Sequence, residues 1–157
     1  YFEKVDEKPT DSFLYMLAMN TFTMNTSMNP FENTLSSDKL FNKQAEVIQE
    51  IADKDDCIIV GRCAGYILRD EPKCVRIYIS ADKDFRTKRI MASDHLDEKE
   101  AQKKIHSMDK KRDSYFGYYA GQDWKACHTY DLSISTSALG IDKAVDLICQ
   151  YIDIKFK

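Results

Sequence analysis

The chain has 157 residues, of which 43% are hydrophobic and 31% are charged, and its formal net charge is −3. This length fits one domain with a substantial buried core, and the composition is ordinary for a folded globular protein, which excludes general disorder. The negative balance argues against a general nucleic-acid binder, although residues 83–112 hold ten Lys/Arg and six Asp/Glu, and we interpret most of those lysines as a solvated helical face.

The first part of the chain is predicted to contain two helices, a strand and a short helix. Residues 11–22 and 40–51 place apolar side chains near helical spacing, with an Asn/Ser-rich loop between them. Cys57–Val60 is apolar at consecutive positions, which is typical of a strand covered on both faces. A short helix is predicted over residues 64–68.

The second part is predicted to alternate strands with helices. Strands are expected over 75–79 and 130–135, and helices over 82–92, from Asp97 onward and over 141–152. Glu100 is in capping-box position for the helix from Asp97, and a link is expected over 115–121. Strands separated by helices form parallel sheets with right-handed crossovers.

These elements predict an α/β fold, a three-layer parallel sheet with helices on both faces, in a single domain over residues 1–157. Three strands are few for such a sheet, because sheets usually have about four to six. The count therefore indicates that a strand is missing or belongs before Tyr1.

Arg62 follows directly on the predicted strand Cys57–Val60. Ligands of open α/β sheets bind beyond the carboxyl ends of the strands, so a guanidinium at this position would meet a phosphate or a carboxylate. An arginine after a strand can also cap a helix or pair with a surface carboxylate. The local pattern leaves both interpretations open.

Four further charged residues are candidates on two successive predicted helices. Arg112 continues an inward-facing stripe of its predicted helix, and Asp109 borders that stripe. Its guanidinium either binds an anion, or it extends past the edge of the core into solvent or pairs with Asp109. Arg86 and Arg89 share one helix face, for which a solvated face is the alternative. Together with Arg62, these arginines suit phosphoryl transfer, whose catalysis is mostly positioning and charge neutralisation.

The five cysteines and three histidines are scattered and include no C-x-x-C pair, so neither a zinc site nor a Cys-His nucleophile is expected. A scattered, odd set of cysteines indicates a reducing compartment. No apolar stretch approaches the ~20 residues that cross a bilayer, and no leader-like segment opens the chain, so we expect a cytoplasmic protein without membrane contact.

Five blocks carry a family resemblance in their order along the chain. The chain resembles the cytidylate kinase-like family over about Leu40–Ile152, while residues 1–39 fit only loosely as acceptor-side helices and a lid is expected at about 93–122. The blocks are LFNKQAEVIQEIA (Leu40–Ala52), CIIVGRCAGYILRD (Cys57–Asp70), VRIYISAD then FRTKRI (Val75–Ile90), DEKEAQKKIHSMDKKRDSYF (Asp97–Phe116) and YDLSISTSALGIDKAVDLI (Tyr130–Ile148).

The resemblance implies a P-loop kinase fold and transfer of the ATP γ-phosphoryl to a nucleoside monophosphate such as CMP, with Mg²⁺ bound through the nucleotide. It implies that Arg62 holds the acceptor phosphate and that Arg86 and Arg89 line the donor side. Asp109 and Arg112 would belong to the lid, and Arg112 would close on the phosphoryl groups. The implied partners are small-molecule nucleotides, not nucleic acid.

The family's N-terminal strand and glycine-rich phosphate loop have no counterpart in these residues, because the chain contains no Gly-Lys-Ser/Thr sequence. We expect the loop to lie upstream of Tyr1. Ile105 also stands where relatives among bacterial cytidylate kinases carry a further lid arginine. The alternatives are a non-catalytic nucleotide- or partner-binding domain that has lost phosphoryl transfer, and a small-metabolite kinase on the same fold.

Overall fold

The computed structural model describes residues 37–157. Contacts divide this part of the chain into a unit that ends at Asp70 and a unit from Glu71 to Lys157. The helix predicted over 11–22 lies outside the described residues. Between residues 37 and 157, no helix is both long enough and apolar enough to cross a membrane.

The first unit contains helices α1 (Ser37–Lys54) and α2 (Ala64–Ile67). One face of α1 is buried through Gln44, Val47 and Ile48, and its other face carries exposed charged side chains. A buried apolar stripe with a charged opposite face is what makes a helix amphipathic. Both helices confirm the sequence prediction, and α1 extends three residues beyond the predicted range at each end.

The strand predicted at Cys57–Val60 is wrong for this structure. The run has no strand conformation, and Ile58 and Val60 expose 95% and 71% of their surface. A strand persists only when a neighbour pairs with its backbone groups. The sheet of the described residues has two strands, and this run pairs with neither.

The second unit is built around two parallel strands, β1 and β2, with Ile77 opposite Leu132 and Ser80 opposite Ser135. This parallel pair, with its helical connection, confirms the α/β class and two of the predicted strands. The elements in order are β1 (Ile77–Ser80), α3 (Lys83–Asp94), α4 (Glu98–Ala120), a 3₁₀ turn (Cys127–Thr129), β2 (Leu132–Ser135), α5 (Thr136–Leu139) and α6 (Ile141–Phe156).

Helix α4 begins as predicted but ends later. Its capping box is formed: the Glu100 N–H donates to the Asp97 carboxylate at 2.8 Å, and the Asp97 N–H donates to Glu100 at 3.2 Å. The link predicted at 115–121 is wrong, because the helix runs through Gly117 to Ala120 and ends at Gly121, whose φ is 64°. Glycine adopts this left-handed C-terminal position without strain, and it stops the helix there.

Asp131, directly before β2, binds Arg76, directly before β1. Its carboxylate accepts hydrogen bonds from the Arg76 backbone N–H at 2.7 Å and from Arg76 Nε and Nη2 at 3.1 Å each. The Asp131 N–H donates back to the Arg76 carbonyl at 2.8 Å. The side-chain hydrogen bonds from Arg76 are the main cause that lowers the pKa of Asp131.

We expect Asp131→Asn to reduce the free energy of unfolding by about 1–3 kcal/mol at pH 7, because the amide cannot accept the charged bonds of Arg76. The folded pKa of Asp131 lies below its ordinary value of 3.8, so the stabilisation is complete above that pH and is lost as the pH falls through the lowered value. Urea unfolding across this range measures both effects.

The control for this variant is Asp153→Asn, which removes a carboxylate from an exposed pair with Lys157 at 3.6 Å. Such pairs contribute at most about 1 kcal/mol, and often nothing measurable. Equal losses from the two variants, or a difference that does not shrink below pH 3.8, would contradict the role of Asp131.

Candidate functional site

A cavity of about 240 Å³ opens in the second unit at the carboxyl end of β1. Ligands of open parallel sheets bind at this end of the strands. Two guanidinium groups, from α3 and α4, contribute to the wall, which favours an anionic ligand. The lining residues are Tyr78, Ile79, Ser80, Ala81, Arg86, Arg112, Trp124 and Thr136.

Arg86 is held by a two-point ion pair with Asp109. Its Nη1 donates to Asp109 Oδ2 at 2.7 Å and its Nη2 to Oδ1 at 2.6 Å, between side chains that are 31% and 18% exposed. The parallel geometry fixes the plane of the guanidinium as well as its position. The pair joins α3 to α4 beside the cavity.

The negative charge of Asp109 stabilises its ion pair with Arg86. Burial alone raises the pKa of Asp109, but the hydrogen bonds and charge of Arg86, with smaller contributions from Lys125 and Arg112, outweigh burial and leave the pKa lowered. A carboxyl group with a lowered pKa is ionised at neutral pH and is a weak proton acceptor. Asp109 therefore acts here as an anchor for Arg86.

Arg112 lies over the ring of Trp124, with its guanidinium carbon 5.9 Å from the ring centroid. Tyr78 meets the ring edge-on at 5.8 Å, and the Tyr130 hydroxyl donates to the backbone carbonyl of Trp124 at 2.7 Å. An exposed cation–π contact contributes only about 0.5–1 kcal/mol. A hydrogen bond from a guanidinium to a phosphate is worth more than this contact, about 1.5–3 kcal/mol.

The structure brings three of the five predicted site residues together. Arg86 and Arg112 line one cavity, and Asp109 holds Arg86. Arg89 is on the exposed side of α3 and does not line this cavity. Arg62 belongs to the first unit, in the turn before α2.

The sequence did not identify Tyr78, Trp124 or Thr136 as lining residues. Trp124 is the only tryptophan of the chain and stands in the polar stretch QDWK, where a large aromatic side chain is unusual. Thr136 is placed by the strand pairing, because its hydroxyl donates to the Ser80 carbonyl at 3.0 Å. This isolated tryptophan is the feature of the sequence that could have identified Trp124 as a site residue.

Arg62 lies in a turn of three consecutive left-handed residues. Gly61, Arg62 and Cys63 have φ values of 76°, 53° and 56°. Glycine adopts such values freely, whereas other residues pay roughly 1–2 kcal/mol each. Strained residues of this kind concentrate at functional sites, which makes Arg62 a candidate independently of its charge.

The neighbouring thiol does not supply a nucleophile. Cys63 is buried, and this burial raises its pKa to about 11, so it is protonated at neutral pH. Within residues 37–157, no group of three or more His, Cys, Asp or Glu side chains is arranged to hold a metal ion. Among the predicted site residues, the groups that can bind an anion are the arginines.

The chain is similar to known nucleotide kinases. A model of the cytidylate kinase-like family matches residues 1–138. Cytidylate kinase from Sulfolobus acidocaldarius is 31% identical over 103 residues, which are 66% of this chain and 56% of that protein. Cytidylate kinase from Methanoculleus marisnigri is 27% identical over 111 residues, 71% of this chain and 59% of that protein.

The chain thus covers little more than half the length of these curated relatives. Among solved structures, an uncharacterized protein from Eubacterium ventriosum shares the fold, with a TM-score of 0.72 and 37% identity. The alignment covers 75% of this chain and 74% of that one.

Proposed function

This chain belongs to the cytidylate kinase-like family, and from that membership we propose that it carries the acceptor site and the lid of an ATP-dependent nucleotide kinase. The reaction is transfer of the ATP γ-phosphoryl to a nucleoside monophosphate, with CMP as the first candidate. The observation that carries the proposal is the cavity at the carboxyl end of β1, lined by Arg86 and Arg112.

Each side chain of this cavity has a distinct role in the proposed reaction. Arg86, fixed by Asp109, presents a pre-oriented guanidinium to a phosphoryl oxygen, and preorganised charge of this kind stabilises the transition state. Asp109 is a positioning residue that acts through Arg86. Arg112 leaves the Trp124 ring and closes on the phosphoryl group during transfer. The role of Arg89 on the donor side is proposed from the family resemblance alone.

Arg62 is proposed to bind the acceptor phosphate. Its strained left-handed backbone supports this role, because residues of this kind concentrate at functional sites. A guanidinium matches two phosphate oxygens at once, which a flexible ammonium does not. The effect of Arg62 is therefore expected mainly on acceptor affinity.

The donor is proposed to be ATP, with Mg²⁺ held through the nucleotide phosphates. Phosphoryl transfer needs backbone N–H groups around the donor phosphates, and the 157 residues contain no Gly-Lys-Ser/Thr sequence to supply them. The proposal therefore includes a glycine-rich phosphate loop upstream of these residues, within a three-layer P-loop kinase fold.

A coupled assay of ADP release tests the proposal on the full-length protein, with ATP, Mg²⁺ and CMP, dCMP, UMP or AMP as acceptor. We expect turnover with at least one pyrimidine monophosphate, at roughly 1–100 s⁻¹ if the enzyme behaves like typical kinases. Absence of turnover with all four acceptors would contradict the proposal.

The alternative is a nucleotide-binding domain that has lost phosphoryl transfer. Trp124 distinguishes the two, because it is the only tryptophan of the chain and lies in the cavity wall. Quenching of its fluorescence by CMP without ADP release would favour the binding domain. Quenching together with ADP release would favour the kinase.

A further inference from the structure

Three aromatic side chains connect β1 with the loop that follows α4. We call them the aromatic cluster and define it by Tyr78, Trp124 and Tyr130. The Tyr78 ring stacks on the Tyr130 ring, with centroids 5.0 Å apart and an interplanar angle of 31°, and it meets the Trp124 ring edge-on at 5.8 Å. Both arrangements are among those that aromatic pairs prefer. Tyr78 is thus in ring contact with both other members of the cluster.

The sheet holds one side of the cluster in place. Tyr78 is the second residue of β1 and lies opposite Ser133 in the parallel register. The ion pair between Arg76 and Asp131 lies directly before the two strands, within two residues of the cluster along the chain. A side chain that projects from a paired strand is placed more precisely than one on a loop.

The loop that carries Trp124 has local hydrogen bonds of its own. The Lys125 N–H donates to the Asp123 carboxylate at 2.8 Å, and the Thr129 hydroxyl donates to the Ala126 carbonyl at 2.8 Å. Bonds between residues this close in sequence shape a turn, but they do not set its position relative to the sheet. The contact between Tyr78 and the Trp124 ring does, because it joins the loop to a strand.

This contact bears on Arg112, whose guanidinium carbon lies 5.9 Å from the centroid of the Trp124 ring. Arg112, Trp124 and Tyr78 all line the cavity at the end of β1. A displacement of the indole therefore moves the surface over which the guanidinium lies. A charged group stabilises a transition state best when its position is set before the reaction.

The Tyr78 hydroxyl is not the group that makes this contact. Burial and the negative charge of Asp109 raise the pKa of Tyr78, against an opposing effect of Arg86, so the hydroxyl stays protonated at neutral pH. The edge-on contact with Trp124 is made by the ring. Phenylalanine should therefore replace Tyr78 without loss, whereas an aliphatic side chain should not.

We propose that Tyr78 is a positioning residue, which acts through the Trp124 ring to set the place of the Arg112 guanidinium at the cavity. The inference rests on the proposed function, since it gives Tyr78 an effect on phosphoryl transfer. Arg112 would meet the phosphoryl group, and Tyr78 would influence the reaction only through Arg112.

Tryptophan emission of the ligand-free, full-length protein tests the contact without reference to activity. Arg112→Ala is expected to change the emission of the wild type, and this difference should be lost when the same substitution is made in Tyr78→Leu. It should persist in Tyr78→Phe, which keeps the ring. The matched control is Tyr151→Leu, which removes a half-buried tyrosine of the same unit that does not line the cavity, and the difference should persist there too.

Steady-state kinetics with ATP and CMP test the effect on the reaction. Tyr78→Leu is expected to lower kcat about two- to fivefold, the factor that corresponds to an exposed cation–π contact, with no change in the KM for the acceptor. In the Arg112→Ala background it should cause no further loss. Tyr78→Met fills similar space without a ring and replaces Tyr78→Leu if leucine prevents folding.

The outcomes distinguish a failure of this inference from a failure of the proposed function. The inference is overturned if the emission difference survives in Tyr78→Leu, if the losses in kcat from Tyr78→Leu and Arg112→Ala multiply, or if Tyr78→Phe lowers kcat as much as Tyr78→Leu. The last result would make the hydroxyl a ligand contact. Absence of turnover in the wild type, together with the expected emission changes, would overturn the proposed function and support the positioning of Arg112 by Tyr78.

Discussion

Arg112→Ala is expected to lower kcat for phosphoryl transfer by about 10²–10³, with little change in the KM for the acceptor. In the structure the guanidinium lies over the Trp124 ring, at 5.9 Å, and lines the cavity at the end of β1, where it can meet a charge that develops during the reaction. A group that engages the transition state and not the bound substrate affects kcat alone. Steady-state kinetics with CMP and ATP measure both constants.

Two further variants identify the cause of that loss. Arg112→Lys keeps the charge without the planar fork and should recover only part of kcat. Lys111→Ala removes an exposed charge at the neighbouring position and should leave kcat unchanged. Equal, small effects from Arg112→Ala and Lys111→Ala would mean that Arg112 is a surface residue that covers Trp124.

Trp124 provides a check that does not depend on activity. Removing Arg112 takes away a cation 5.9 Å from the only tryptophan of the chain, so the emission of the ligand-free variant should differ from that of the wild type. An unchanged spectrum would contradict the geometry on which the prediction rests.

Arg62→Ala is expected to raise the KM for the acceptor by about 10–100-fold, the range for losing hydrogen bonds between a charged group and a phosphate. The constant for ATP should change far less. The expectation rests on the position of Arg62 in a strained turn, at φ 53°, of the kind that concentrates at functional sites. Acceptor titration at saturating ATP measures the effect.

Alanine at this position also leaves a strained backbone, so Arg62→Gly is the necessary second variant. Glycine removes the same guanidinium but accepts a positive φ without strain. An equal rise in KM for both variants assigns the effect to the lost charge. Arg69→Ala is the control, since Arg69 lies over Tyr66 at 4.5 Å and donates to its carbonyl at 2.9 Å. A KM effect as large in Arg69→Ala would argue against a specific role of Arg62.

The proposed reaction needs no general base among these residues. The acceptor of a nucleoside monophosphate kinase is a phosphate oxygen, already a nucleophile at neutral pH, so positioning and charge neutralisation account for catalysis. The lowered pKa of Asp109 and the raised pKa of Cys63 agree with this, because neither group is suited to proton abstraction or nucleophilic attack at neutral pH. The arginines are therefore the groups that would stabilise the charges of the proposed phosphoryl transfer.

Local patterns predicted the elements that depend on local interactions. The periodicity of α1 and the Asp97/Glu100 capping box each concern residues within a few positions of one another, and both are confirmed. The run Cys57–Val60 shows the limit, because its apolar character indicates burial while strand formation depends on a partner elsewhere in the chain. The link predicted at Tyr115–Gly121 is wrong for another reason. Its glycines indicate a loop, but α4 includes Gly117 and ends at Gly121.

The sequence by itself determined the α/β class, most helix positions and the family, because periodicity, capping and block order are properties of consecutive residues. It also identified Arg86, Asp109 and Arg112 as candidates, but it left open whether Asp109 paired with Arg112. Only the tertiary structure decided that Asp109 binds Arg86 across two helices and that Arg112 rests on Trp124. These contacts join residues 12–23 positions apart, where spacing along one helix carries no information and the packing of α3, α4 and the loop after α4 selects the partners.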